Sequence, residues 1–244
     1  MGHCLFMRKG ETHTAPISGI LASDLAVGSS VYLIENGVAT EYLVVNQGKP
    51  SGSSLYDDSC DGLWLLRKDI HSNRVWDADK YNDLEKSDIH IWLNGDFFNL
   101  FGAVEQSAIK QVKIPYRTIG GSSGTDKNGA NGLQCKVFLL GNYEVGWTTS
   151  NSQYFPVDGA KLDYFDSGNT TSERNKRIAY LDGSKTHWFL RSAFTLDTTM
   201  ACIVNSGGDW SGYETNNSIG IRPALILPSN AMFDTNTLIL KGVA

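Results

Sequence analysis

His187, Cys202 and the chain's aspartates are the residues from which a nucleophile, a base and an orienting acid could be assembled. Such a set needs a thiol held as thiolate, and nothing local marks Cys202 as activated. It sits in Met200-Ala201-Cys202-Ile203-Val204, an alternating, strand-like run in which it reads as a small packing side chain. Two carboxylate groups, Asp57/Asp58/Asp61 and Asp158/Asp163/Asp166, read as solvated acidic faces, the second around a helix. Neither follows the D-x-D-x-D-G pattern of a calcium loop, so no cofactor is expected; an isolated structural calcium ion is the one metal these carboxylates leave open. His3, His13, His71, His90 and His187 lack metal-ligand spacing, and Cys4, Cys60, Cys135 and Cys202 include no C-x-x-C pair. Separate buried thiols are the expectation. Gly120 to Gly132 is rich in Gly, Ser, Asn and Asp, but without the Gly-Lys-Ser/Thr ending of a phosphate loop it reads as a surface loop.

Arg191 and Arg222 say more. Each lies in an apolar strand-like block, Trp188-Phe189-Leu190-Arg191-Ser192 and Ile219-Gly220-Ile221-Arg222-Pro223-Ala224-Leu225. A guanidinium in such a setting must find carboxylates or carbonyls, because an unpaired buried charge costs several kcal/mol. The reading is structural: the two arginines pin loops to a sheet, with Glu144 or an aspartate as partner for the charge.

The elements that position these blocks follow from pattern. Val31 to Val45 around Asn36-Gly37 is a hairpin with a type I′ turn, since Asn-Gly supplies the positive φ angles the turn requires. Leu63-Arg67 is the next strand. Ser87 caps a short helix whose apolar face is Ile89, Trp92 and Leu93 and which Gly95 is expected to break. Val104 to Ile109 forms a further helical turn or two, Val112 to Tyr116 and Cys135 to Leu140 are extended, and a helix is expected over 157–165 after Pro156. Gly168 to Asn175 reads as a polar loop. Strands return at His187-Ser192, Met200-Val204, Ile219-Leu227 and Leu238-Leu240. Strands at both ends with helices between argue an α+β fold, mainly antiparallel sheet with short helices and long loops. A weakly patterned arm over 1–24 precedes one domain over 25–244.

Composition narrows the function. A hydrophobic content of 41% supports a well-buried core, and a net charge of −5 without any basic run excludes a nucleic-acid footprint. No apolar run is long enough to span a membrane, and the N-terminal residues lack a signal-peptide layout. Within Ala193 to Ser218 there is no Lys, Arg or Gln. Phe194, Trp210 and Tyr213 there offer large contact area at low entropic cost, and Ser, Thr, Asn and Gly offer adaptable hydrogen bonds, a composition like that of a paratope.

The two arginine blocks resemble the frame of the variable proteins diversified by retroelements, and of a related prophage family of unknown function, both with a C-type-lectin-like fold. Trp64-Leu65-Leu66-Arg67-Lys68-Asp69, Ile91-Trp92-Leu93-Asn94, Gln106-Ser107-Ala108-Ile109-Lys110 and Phe138-Leu139-Leu140-Gly141 extend the resemblance upstream. It implies a non-enzymatic ligand- or receptor-binding display protein, carried on a phage or prophage tail and present in the bacterial cytoplasm before assembly. The implied ligand is a protein or glycan on a cell surface. Other virion proteins would dock through the N-terminal arm, and homo-oligomers fit the same picture. Carried over, Trp188, Arg191, Gly220 and Arg222 are the frame, within a variable region at about 188–225. The solvent-facing variable positions are Phe194, Leu196, Asp197, Thr198, Thr199, Met200, Cys202, Ile203, Asn205, Asp209, Trp210, Ser211, Tyr213, Glu214, Thr215 and Asn216, with Ala201 and Val204 turned to the core. The same fold resembles formylglycine-generating enzymes, whose copper-binding cysteine pair has no signature here. That relationship and a purely structural virion component are the alternatives.

Overall fold

The computed structural model describes residues 19–50, 54–147 and 153–244. Two five-stranded sheets dominate. The frame sheet contains β1 (Ser30–Glu35), β2 (Val38–Gln47), β3 (Leu63–Arg67), β5 (Val137–Phe138) and β10 (Ala224–Leu227), in the order β5-β10-β3-β2-β1. The display sheet contains β4 (Ser72–Arg74), β6 (Trp188–Ala193), β7 (Met200–Val204), β8 (Trp210–Glu214) and β9 (Ile219–Ile221), in the order β8-β7-β6-β9-β4. All pairings are antiparallel except β6 with β9, where Trp188 and Gly220 are parallel partners. The mainly antiparallel α+β expectation holds.

The first hairpin forms as its turn chemistry dictates: Asn36 and Gly37 have φ of 49° and 78°, the left-handed pair of a type I′ turn. Interior strands are apolar throughout. Leu63 to Leu66 and all of β10 are buried, because each lies between two neighbours and under cover on both faces. Ile219–Leu227, expected as one strand, is instead two strands in two different sheets. Pro223 has no N–H to continue a ladder, and the chain changes sheet at Arg222-Pro223. Directly alongside, the segment after Arg67 changes sheet as well, with Arg67 N–H donating to the Pro223 carbonyl (2.9 Å) and His71 N–H to that of Ile221 (2.8 Å). The chain ends also pair: Ile20 and Leu21 lie against Phe233 and Met232, and Ala22 is fully buried. The last residues of the expected arm are therefore part of the fold, while 1–18 lie outside the described residues. One apolar cluster runs from Ala22 to Leu240.

The helices are short: α1 (Asp88–Trp92), α2 (Ala103–Ala108) and α3 (Thr171–Arg177). Ser87 caps α1 as expected, its hydroxyl accepting from His90 N–H (3.2 Å). Gly95 does not break the chain's helical path, which continues through it as a π-type turn over Leu93–Phe97. The helix expected over 157–165 does not form. Phe155, Asp158, Leu162 and Phe165 are all buried there, and the irregular backbone supplies the Asp158 carbonyl to Arg191. Helix α3 forms where a polar loop was expected. Thr170 N–H donates to the Glu173 carboxylate (2.5 Å) in a capping box that an apolar-period search overlooks.

Gly220 shows why this frame position carries no side chain. A β-carbon there would lie 2.5 Å from the His187 carbonyl oxygen and 2.9 Å from Ile70 Cδ1. Gly220→Ala is expected to lower stability by about 1–3 kcal/mol in urea denaturation, as overpacking does. Gly95→Ala, which faces open space in a helical segment, is expected to be neutral or stabilising by up to about 1 kcal/mol.

Candidate functional site: an aromatic face on an arginine-pinned frame

Every residue of β6 is buried, and its arginine is the centre of a polar cluster. Arg191 makes a bidentate pair with Glu144, Nη1 to Oε2 and Nη2 to Oε1, each at 2.6 Å. Its remaining donors go to the carbonyls of Pro115 (2.9 Å), Leu139 (2.9 Å) and Asp158. Glu144 also accepts from Tyr56 Oη (2.6 Å) and from Gly141 N–H (2.8 Å). Gly141 and Gly159 make room for this, since a β-carbon on either would come within 3.2 Å of Arg191 Nη2. Burial works against the guanidinium's charge, but the Glu144 contact outweighs it and raises the Arg191 pKa. Of the expected partners, Glu144 or an aspartate, Glu144 is the one that pairs with Arg191.

Next to Arg191, the Ser192 hydroxyl donates to Asp158 Oδ2 (2.6 Å) and accepts from Asn142 N–H (2.9 Å). Asp158 was expected on a solvated acidic face and is instead fully buried, with Oδ1 unpartnered among the described residues. Burial pushes its carboxyl up to about 7.

Arg222 is also buried, but among the described residues no carboxylate meets it. Its Nε donates to the Arg67 carbonyl (2.8 Å) and its guanidinium lies 5.1 Å from the Trp188 ring centroid. Nη1 has no partner among the described residues, and burial pushes the group down to about 10. A third buried arginine escaped the sequence reading. Arg177, at the end of α3, donates to the carbonyls of Gly208 (2.8 Å), Val145 (3.2 Å) and Gly168 (2.9 Å), while its own carbonyl accepts from Trp188 Nε1 (2.9 Å). Arg177 closes the polar run Ser172-Glu173-Arg174-Asn175-Lys176 and stands before the apolar Ile178-Ala179-Tyr180-Leu181, so no apolar block encloses it as one does Arg191 or Arg222.

On this frame sits a partly exposed aromatic stack. Tyr154 lies between Phe194 and Trp210, stacked at 5.4 Å and 5.2 Å, and Phe155 meets Trp210 edge-on from beneath. Tyr154, from a different stretch of chain, was not anticipated. Tyr213 and Leu196 are exposed, and Tyr213 also faces the His187 ring (6.1 Å). Asn216 is exposed, Glu214 is exposed beside Lys80 (3.1 Å), and Ser211 and Thr198 are half-buried. Asp197, Thr199, Asn205 and Asp209 are half-buried residues engaged in turns. Asp197 Oδ1 accepts from Thr199 N–H (2.6 Å), Asn205 Oδ1 accepts from Gly207 N–H (2.9 Å), and Asp209 Oδ1 accepts from Trp210 N–H (2.8 Å). Met200 is half-buried, and its carbonyl, with that of Asp197, holds the amide of the fully buried Asn82 (2.7 Å each), a clamp the sequence did not reveal.

Three of the expected solvent-facing positions are corrected. Cys202, Ile203 and Thr215 are fully buried. Strand β7 lies between β6 and β8 with both faces covered, so Cys202 and Ile203 are as enclosed as Ala201 and Val204, and alternation does not separate them. Thr215 is spent on structure: its hydroxyl and N–H donate to the Thr199 carbonyl (3.2 and 2.9 Å), and its carbonyl accepts from Trp76 and Asp77 N–H (2.8 and 3.0 Å).

The chemistry considered from sequence does not assemble. Burial pushes the Cys202 thiol up to about 12 and that of Cys60 up to about 11. His187 Nδ1 is occupied as acceptor from Ser206 N–H (2.9 Å). Among the described residues no group of three or more His, Cys, Asp or Glu is placed to hold a metal ion. A separate open groove of about 540 Å³ is lined by Arg67, Lys68, His71 and Tyr180, but its cations are matched by Glu35 (3.2 Å) and Glu41 (2.8 Å).

Removing Glu144 strands a buried cation, so Glu144→Ala is expected to cost about 3–5 kcal/mol in chemical denaturation. Lys80→Ala, on an exposed pair, is expected to cost less than about 1 kcal/mol. Asp158 carries a pH signature. Its folded pKa lies above the ordinary 3.8, so its stabilising contribution is complete below pH 3.8 and is lost as pH rises through about 7. Between those limits stability is expected to fall by up to about 1.4 kcal/mol per pH unit from this group, and Asp158→Asn is expected to flatten that part of the profile.

No curated protein and no solved structure shows a significant match to the chain. A family model described as a domain of unknown function, DUF6273, matches residues 61–229, a stretch that holds both sheet crossovers, the three buried arginines and the aromatic face. The chain belongs to the DUF6273 family.

Proposed function

We propose that this protein binds a macromolecular ligand through the face built from Phe194, Tyr154, Trp210 and Leu196, with no chemical step. The observation that carries this is the stacked, part-exposed row Phe194–Tyr154–Trp210 on a sheet whose backbone is fixed from below by Arg191 and Glu144. Aromatic side chains held in place lose little entropy on binding and offer large contact area, and surrounding Thr, Ser and Asn groups supply adaptable hydrogen bonds. Ligands of this face are protein or glycan surfaces, and the absence of Lys and Arg from 193–218 suits neutral or basic ones.

The fold we assign is C-type-lectin-like, and the role is that of a display protein on a phage or prophage tail, diversified by a retroelement between Trp188 and Leu225. Support comes from the separation of frame and face: the frame residues are buried, while the positions best suited to variation are Phe194, Leu196, Thr198, Trp210, Ser211, Tyr213, Glu214 and Asn216. Cys202, Ile203 and Thr215 leave the variable set because they are interior.

A display library tests this with an arbitrary protein target as the probe. Randomising Leu196, Thr198, Ser211, Tyr213 and Asn216 together is expected to leave surface display of folded protein near the parental level and to yield binders to that target. Randomising Cys202, Ile203 and Thr215 is expected to abolish folded display. Equal collapse of both libraries would overturn the proposal. For diversification, the DNA beside the gene is expected to hold a near-copy of the codons for Trp188 to Leu225 that differs chiefly at adenines.

A further inference from the structure

Strand β8 ends the display sheet, and the described residues leave its outer edge unpaired. Its hydrogen-bond phase follows from the ends of its hairpin with β7. Asn205 N–H donates to the Asp209 carbonyl (2.7 Å) and Thr215 N–H to that of Thr199 (2.9 Å). Both lie on the register that pairs Cys202 with Gly212, so Ala201 with Tyr213 and Ile203 with Ser211 are the hydrogen-bonded pairs. Trp210, Gly212 and Glu214 therefore turn their N–H and C=O groups outward.

Two of those six groups are already used. Trp210 N–H donates to Asp209 Oδ1 (2.8 Å), and the Glu214 carbonyl accepts from Asn217 N–H (3.0 Å). Left over among the described residues are the Trp210 carbonyl, both groups of Gly212 and the Glu214 N–H. We propose that this edge pairs with the same edge of a second copy of the chain, antiparallel about a two-fold axis at Gly212. In that register Gly212 exchanges both bonds with its counterpart, and Glu214 N–H meets the second copy's Trp210 carbonyl twice over. The two groups that would lack partners, Trp210 N–H and the Glu214 carbonyl, fall opposite each other and are the two already satisfied internally. Every free group is matched and every spent group faces a spent group. A two-fold interface requires this self-complementarity.

The side chains agree with the pairing. Ser211 comes opposite the second copy's Tyr213 at a close, non-hydrogen-bonded position, which covers the exposed tyrosine. Glu214 comes opposite Trp210 rather than another acid, and Lys80 offsets its charge. Gly212 adds no side chain on the axis. Glu214 is the one charged side chain on β8 and is already paired with Lys80, and no proline interrupts the strand, so this edge is of the type that recruits another strand. Pairing would join two display sheets into one ten-stranded sheet with two aromatic faces. Dimer formation at this edge goes beyond the ligand reading and does not depend on it.

Sedimentation velocity over a concentration series tests it. The wild-type chain is expected to shift from monomer to dimer. Gly212→Pro and Glu214→Pro each delete an outward N–H and no bond within the sheet, and each is expected to weaken dimerisation by about tenfold or more, from two symmetry-related bonds of about 0.5–1.5 kcal/mol apiece. Gly212→Ala adds the same β-carbon and keeps the N–H, so it is expected to dimerise like the wild type. In hydrogen exchange on the wild type, the Gly212 and Glu214 amides are expected to gain protection as concentration rises. A chain that stays monomeric throughout, a Gly212→Pro dimer as tight as the wild type, or fast exchange at both amides in the dimer would overturn the proposal. A wild-type chain that stays monomeric while selected library members bind their target would sink the dimer and leave the ligand reading standing by itself.

Discussion

The buried pair between Arg191 and Glu144 is the constraint to which the rest of the molecule conforms. A guanidinium in the middle of a fully enclosed strand can be held only if all its donors are met, and here they recruit pieces of chain far apart in sequence. Glu144, Tyr56, Pro115, Leu139 and Asp158 all converge on it. That demand explains local features that look arbitrary alone: the missing side chains at Gly141 and Gly159, the irregular path through Asp158, and the absence of a helix after Pro156. Such a cluster adds little net stability compared with apolar packing, yet losing one member is costly, so it favours one arrangement over near alternatives.

The two sheets meet where Arg222 and Pro223 lead the chain from one to the other, beside a matching passage after Arg67. Trp188 links the arginines here, lying under the Arg222 guanidinium and donating to the Arg177 carbonyl. The display sheet is thereby held along its inner strands and left accessible at β8 and the turns around it. Division into frame and face follows from position within the sheet. Strand β7 is interior and buried on both sides, whereas β8 has one neighbour and half-exposed side chains.

Much of this was legible in the sequence. Asn36-Gly37 announced its hairpin because only a few residue types adopt the turn's backbone angles. Arg191 announced a buried ion pair because charge inside an apolar strand has few solutions, and Glu144 was a foreseeable partner. Ser87 announced a helix start through its side-chain oxygen. The readings that failed share a cause. The resemblance places Cys202, Ile203 and Thr215 in solvent and local texture places Asp158 there, and neither reports how many layers of chain lie above a residue. Helix α3 lacked an apolar period because it is held by its cap and by Arg177 rather than by an apolar stripe. Tyr154 and Asn82 carried no signal at all, since their roles depend on partners distant in sequence, Phe194 and Trp210 for one and the Asp197–Met200 turn for the other.

The sequence by itself determined the local turns and caps, the class of sheet, the two arginine-bearing rails and the aromatic character of the segment between them, because each is dictated by backbone sterics or by the cost of an unpaired charge. Only the tertiary structure decided which residues of that segment face outward, that Ile219–Leu227 is shared between two sheets, and that β8 is an edge. Those outcomes depend on which strands become neighbours, and strand neighbours are chosen by the joint burial of surfaces far apart along the chain.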